Sequence, residues 1–213
     1  MDPIDGTKGF LRGDQFAVCL ALVDAGRVCV SVIACPNLVF DKRAPDSRGA
    51  LFVAVAGEGA YQRSFAPDAK ESRIRVSNIA NIEDAILAES LESSHSSHGI
   101  SAQVSSMLRL RNPPLRMDSQ AKYCELARGN VGLYLRLMPA QNFVERIWDH
   151  AAGALLVSEA GGTVSDIEGR PLDFTCGPTL SRNRGIVASC VEHQRVVDCM
   201  CSVVQKSDAA SGI

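Results

Sequence analysis

The first third of the chain carries apolar runs with weak polar alternation, broken by glycine-containing turns. Gln15–Val23 and Arg27–Ala34 are rich in Val, Ala, Leu, Ile and Cys, and Asp24-Ala25-Gly26 separates them. Such runs joined by a short glycine-containing loop predict a β-hairpin. Leu51–Ala56 and Gly59–Arg63 predict a second hairpin across Gly57-Glu58. Four strands with no helix between them predict an antiparallel sheet.

The polar stretch from Ser64 to Ser72 reads as a linker, and beyond it the pattern changes. Short strands are expected over Arg73–Ser77, Ala85–Glu89, Leu115–Met117, Val131–Leu137, Thr163–Ser165 and Gly185–Ser189. Helices are expected over Ile100–Leu110, Gln120–Ala127 (capped by Ser119), Asp149–Ala160 (stopped by Gly161-Gly162) and Val191–Val204. This alternation predicts a layered α/β second part. The expected division is therefore 1–72, 73–205 and a small, polar, disordered tail over 206–213.

Composition narrows the partners. A chain of 213 residues with 46% hydrophobic and 22% charged residues is an ordinary globular one. The net charge of −2 argues against a nucleic-acid polymer or an anionic membrane as partner. No signal peptide or membrane-length apolar run is evident, and no pair of cysteines has zinc-site spacing. Eight cysteines lying mostly in apolar runs read as reduced, buried thiols of a cytoplasmic protein, and a monomer is expected.

The candidate chemistry begins at residue 2. In Asp2-Pro3-Ile4-Asp5-Gly6-Thr7, Pro3 holds Asp2 extended, so that Asp2 and Asp5 can face one space. Two like charges about 4 Å apart repel by roughly 1–4 kcal/mol at effective dielectrics of 80 to 20. A hard divalent cation such as Mg²⁺ offsets that. Gly6-Thr7 offers free N–H groups and a hydroxyl to a phosphate, a good place for a helix N-terminus. The same residues also make an ordinary surface turn. Far downstream, Asp149 in Trp148-Asp149-His150-Ala151-Ala152-Gly153 either caps a helix or completes the acidic set, with small residues letting the helix end approach a ligand.

Together these segments resemble the paired signature of the lithium-sensitive, magnesium-dependent phosphatases, which include inositol monophosphatase. Lys8–Val18, His95-Ser96-Ser97-His98, Asp118–Cys124 and Tyr134-Leu135-Arg136 are similar to the 3′(2′),5′-bisphosphate nucleotidase branch. The resemblance runs from Asp2 to about Ser189. It implies the α/β layered sandwich of the sugar-phosphatases, with an antiparallel sheet first and a smaller α/β part second. It also implies two or more Mg²⁺ ions and removal of the 3′-phosphate from adenosine 3′,5′-bisphosphate and its sulfated form. Asp2, Asp5, Asp149 and the Ile4 carbonyl would ligate metal, and Asp5 and Thr7 would act in catalysis, Thr7 orienting water. His95, Ser119, Lys122 and Arg136 would hold the nucleotide, alongside Thr7 and Asp149. Taken alone, His95 in a Ser-rich loop and Lys122 on a helix are ordinarily solvated, whereas Arg136 in an apolar strand needs an anionic partner. The family pattern has acidic segments upstream, so an N-terminally truncated chain is expected. Alternatives are an inositol phosphate phosphatase and a nucleotide-binding remnant without turnover.

Overall fold

The computed structural model describes residues 1–92, 98–136 and 143–210. The first 74 residues form one six-stranded antiparallel meander, each strand paired with the next in sequence. Its strands are β1 (Asp2–Asp5), β2 (Ala17–Asp24), β3 (Arg27–Asp41), β4 (Ala44–Val55), β5 (Gly59–Ser64) and β6 (Ser72–Ile74). Helix α1 (Thr7–Arg12) lies between β1 and β2.

Both predicted hairpins are present, with refinements. The first turn has two residues rather than three, because Asp24 pairs with Arg27. Ala25 and Gly26 both take positive φ, 47° and 79°, as a turn matched to strand twist requires. β3 and β4 run well past the apolar stretch to a polar tip at Lys42-Arg43, which hydrophobic pattern alone could not reveal. The β3–β4 register slips between Cys35 and Val39, where Pro36 cannot donate to the ladder. That bulge aims Asn37 at the end of α1: its amide donates to the carbonyls of Gly13 and Asp14, 3.3 and 2.6 Å.

The second sheet has the order β10-β11-β9-β7-β8. Its members are β7 (Leu87–Glu89), β8 (Leu115–Arg116), β9 (Leu133–Arg136), β10 (Thr163–Ser165) and β11 (Ile186–Ser189). β7 pairs in parallel with β8 and β9, and the other pairs are antiparallel. Four helices cover it: α2 (His98–Leu108), α3 (Ala121–Ala127), α4 (Ala151–Glu159) and α5 (His193–Ala210). Helix α5 continues through Ala210, although 206–213 reads as a disordered tail from sequence. Gln205 and Lys206 are good helix formers despite their polarity.

The layers follow from strand alternation. Ala88, Tyr134, Ile186 and Ala188 point into a core shared with α3, α4 and the inner face of the first sheet (Cys19, Ile33, Cys35, Phe52). Leu87, Leu133, Leu135 and Val187 point the opposite way, against α2 and α5. The molecule is thus sheet, helices, sheet, helices. On the outer face of the first sheet, Val18, Leu20, Leu22 and Val55 are exposed. Three of the eight cysteines are buried and five half-buried. No helix among the described residues is long and apolar enough to cross a membrane.

Close packing of the middle layer depends on Gly153. A Cβ there would sit 2.2 Å from the ring of Tyr123, which is fully buried. Alanine would gain up to about 1 kcal/mol of helix propensity, but overpacking a core costs about 1–3 kcal/mol and more when the neighbour cannot yield. Gly153→Ala is therefore expected to destabilise the fold by about 1–2 kcal/mol net in chemical denaturation. An unchanged midpoint would show that the spacing between α3 and α4 is slack.

Candidate functional site

The Asp2–Asp5 motif is itself a strand. β1 pairs with β2 through Asp2–Cys19 and Asp5–Ala17, with a register shift between them, so the ladder holds the two acids at the sheet's edge. Ile4 N–H donates to Asp2 Oδ1 at 3.1 Å, and the Thr7 hydroxyl donates to the Ile4 carbonyl at 3.3 Å. Gly6 then turns in the left-handed region, φ 81°, and a Cβ there would lie 2.9 Å from that of Ser119. Glycine is required on both counts.

Ser119 also has positive φ, 67°, a costly conformation for a non-glycine residue and one that concentrates at functional sites. Its hydroxyl accepts from Ala121 N–H at 3.2 Å, while the residue flanking α3 directly is Gln120. The strained turn delivers Gln120 N–H to Asp5 Oδ2. The Gln120 side chain donates to the Trp148 carbonyl at 2.8 Å and accepts from Gly153 N–H at 3.2 Å. Asp149 does not open α4: it ends a short 3₁₀ turn, Ile147–Asp149, just before it.

These contacts bring Asp2, Asp5 and Asp149 together, one ligand oxygen from each lying within 4.8 Å of the others. They share a cleft of about 450 Å³ with Ile4, Thr7, Ser119, Lys122 and Arg136. Eight of the nine residues singled out in the sequence therefore line one space. The ninth, His95, lies outside the described residues. Lys122 is buried, not a solvated helix residue: its ammonium donates to the carbonyls of Met117 and Ser119, 3.1 and 2.8 Å, and lies 5.6 Å from the Tyr134 ring centre. At the mouth, Arg12 pairs with Asp14, Glu92 and Asp118, and Lys8 with Glu92.

Three carboxylates crowd one part of the cleft, with Lys122 and Arg136 beside them. Burial pushes Asp5 up to about 6, against the pull of Lys122 and with help from Asp149 and Asp2. Burial raises Asp2 as well, Asp149 adding to the rise. Burial pushes Lys122 down to about 8, although Asp5 opposes it. Crowded hard oxygen donors held against mutual repulsion suit a divalent cation such as Mg²⁺, so the residues present fit one.

Sequence reasoning missed Gln120, which lies inside a quoted motif without a role, and Glu145, four residues before Asp149. Glu145 binds Arg136 and His150. The only signal for it was the need of a strand-borne arginine for an acidic partner.

The profile of the inositol monophosphatase family matches residues 1–208. The chain belongs to that family. Among curated relatives, it is 46% identical over 192 residues to a 3′(2′),5′-bisphosphate nucleotidase of Schizosaccharomyces pombe, covering 89% of this chain and 54% of that protein. It is 46% identical over 203 residues to one from Emericella nidulans, covering 89% and 58%. This member of the family thus spans little more than half the length of those relatives. Among solved structures it resembles the extragenic suppressor protein suhB of Bartonella henselae, with a TM-score of 0.66, 29% identity, and 93% and 66% coverage. It also resembles an IMPase of Thermotoga maritima, with a TM-score of 0.70, 24% identity, and 96% and 68% coverage. That second likeness concerns the fold.

The raised Asp5 value has a consequence for stability. Folding disfavours this carboxylate when ionised, so the penalty is absent below about pH 4, grows as pH rises through about 6, and is complete above it. In metal-free protein, Asp5→Asn is expected to raise the melting temperature by a few degrees at about pH 7.5, the gain vanishing by about pH 4. Saturating Mg²⁺ should reverse the order, because only the wild type gains the full binding energy. Thermal melts with and without Mg²⁺ check both signs.

Proposed function

We propose that this chain is a Mg²⁺-dependent phosphomonoesterase that removes the 3′-phosphate of adenosine 3′,5′-bisphosphate, and of its sulfated form, giving AMP and phosphate. The observation that carries this is the convergence of Asp2, Asp5 and Asp149 on one cleft that also receives Lys122 and Arg136. Identities of 46% to named bisphosphate nucleotidases support the substrate class.

In this reading the three carboxylates and the Ile4 carbonyl hold two or more Mg²⁺ ions. When bound, the metal would stabilise negative charge on the departing 3′-oxygen and lower the pKa of the attacking water. Asp5 and Thr7 are the catalytic pair on the protein side. The Thr7 hydroxyl, already oriented by the Ile4 carbonyl, positions the water. Ser119, Lys122 and Arg136 hold the nucleotide, Lys122 as a point charge and Arg136 as a planar fork, with His95 offering a flat face to adenine. We place the activity in the cytoplasm, where free thiols persist.

The test is Mg²⁺-dependent phosphate release from adenosine 3′,5′-bisphosphate, with inositol phosphates as competing substrates. Asp149→Asn should lower release at least about 100-fold, since even outer-shell changes around catalytic metals cost about 10–100-fold. Faster release from inositol phosphates would move the substrate assignment. A folded wild type that binds nucleotide without turnover would mark a binding remnant.

A further inference from the structure

Arg136, the last residue of β9, is gripped from behind. Its Nε donates to both carboxylate oxygens of Glu145, at 2.9 and 3.0 Å. That grip leaves Nη2 3.6 Å from Asp149 Oδ2, at the wall of the cleft. Glu145 is braced in turn. Its backbone carbonyl accepts from Leu180 N–H at 2.8 Å, and its Oε2 meets His150 Nε2 at 3.0 Å. His150 Nδ1 lies 2.9 Å from the Tyr123 hydroxyl. Burial holds the Tyr123 phenol protonated, and the His150 ring bridges it to Glu145, one nitrogen toward each.

One potential ligand atom from each of Glu145, Asp149 and His150 also lies within 4.8 Å of the others. Here both Glu145 oxygens are engaged by Arg136 and one of them also by His150, and Asp149 joins through its 3.6 Å ion pair with Arg136. As a source of stability alone, such a buried ion pair is no better than an apolar one. What it supplies is direction: with Nε held by both Glu145 oxygens, Nη2 is left toward Asp149 at the wall of the cleft.

We propose that Glu145 is a positioning residue, aiming Arg136 so that one guanidinium is shared between the acidic metal-site residue Asp149 and the anionic group of the substrate. The inference rests on the phosphatase reading above. It makes the sequence Tyr123, His150, Glu145, Arg136, Asp149 a single mechanical link from the core to the cleft. The acidic cluster and the anion site are then coupled through one cation.

The experiment compares wild type, Glu145→Gln, Arg136→Lys and the double variant. Trp148, the only tryptophan of the chain, adjoins Asp149 and reports Mg²⁺ and inorganic phosphate binding by its fluorescence. Glu145→Gln should weaken phosphate binding at saturating Mg²⁺ by about tenfold, the scale of one charge-assisted hydrogen bond. It should raise KM for adenosine 3′,5′-bisphosphate by a similar factor while kcat changes less than about threefold. In the Arg136→Lys background the same change should add less than about twofold, because the effect runs through Arg136. Additive losses, or unchanged phosphate affinity in folded Glu145→Gln, would overturn the proposal. If Glu145→Gln does not fold, Glu145→Asp, which keeps the charge but loses reach, carries the same comparison. A wild type that binds Mg²⁺ and phosphate without hydrolysing the nucleotide removes the phosphatase reading, and the phosphate affinities still judge Glu145. A wild type that binds neither overturns both.

Discussion

Gln120 is the junction on which the arrangement of the two halves depends. Its backbone N–H holds Asp5, its amide nitrogen holds the Trp148 carbonyl, and its amide oxygen holds Gly153 N–H. One nearly buried residue thus fixes the edge of the first sheet, the turn carrying Asp149 and the start of α4 relative to one another. The cost of presenting it is the left-handed Ser119, and the room for it is the missing side chain at Gly6. Strain at 119 and glycine at 6 are two sides of one close approach.

Around that junction, the acids sort by whether the protein itself provides their partners. Burial would raise Glu145, but His150 and Arg136 hold it down to about 2, the mark of a carboxylate the fold has satisfied. Asp5, a short distance away, is pushed to about 6 despite Lys122 and an N–H donor. The first belongs to the scaffold of the cleft, whereas burial disfavours the charged form of the second. Perturbation of this kind is the usual physical signature of a working site.

Most of the architecture could be read from the chain. Apolar runs bounded by turn residues located the strands around the Ala25-Gly26 and Gly57-Glu58 turns, and a glycine stop located the end of α4. What escaped has definite reasons. Asp2–Asp5 is a strand because β2 offers it a ladder, a tertiary cause that no local pattern carries. Asp149 sits in a 3₁₀ turn because Gln120 claims the Trp148 carbonyl, and the β3–β4 tip is long although its residues are polar. The acidic cluster was legible because the Asp2–Thr7 and Trp148–Gly153 segments together resemble a family signature, although each alone reads equally well as a turn or a helix cap. Glu145 was not, since a lone glutamate before a helix resembles any solvated one until Arg136 is seen beside it.

The connectivity of the first sheet also bears on how the chain reaches its native state. Each strand of the meander pairs with its sequence neighbour, so every hairpin closes a short loop at small entropic cost. The cleft, by contrast, waits for contacts such as Asp5 with Gln120, 115 residues apart. Chain entropy therefore ranks the events: hairpins first, the helical layer next, and the acidic cluster last, when the ends of a long loop meet. Asp149 thus reaches Asp2 and Asp5, already neighbours on β1, only through the closure of a long loop.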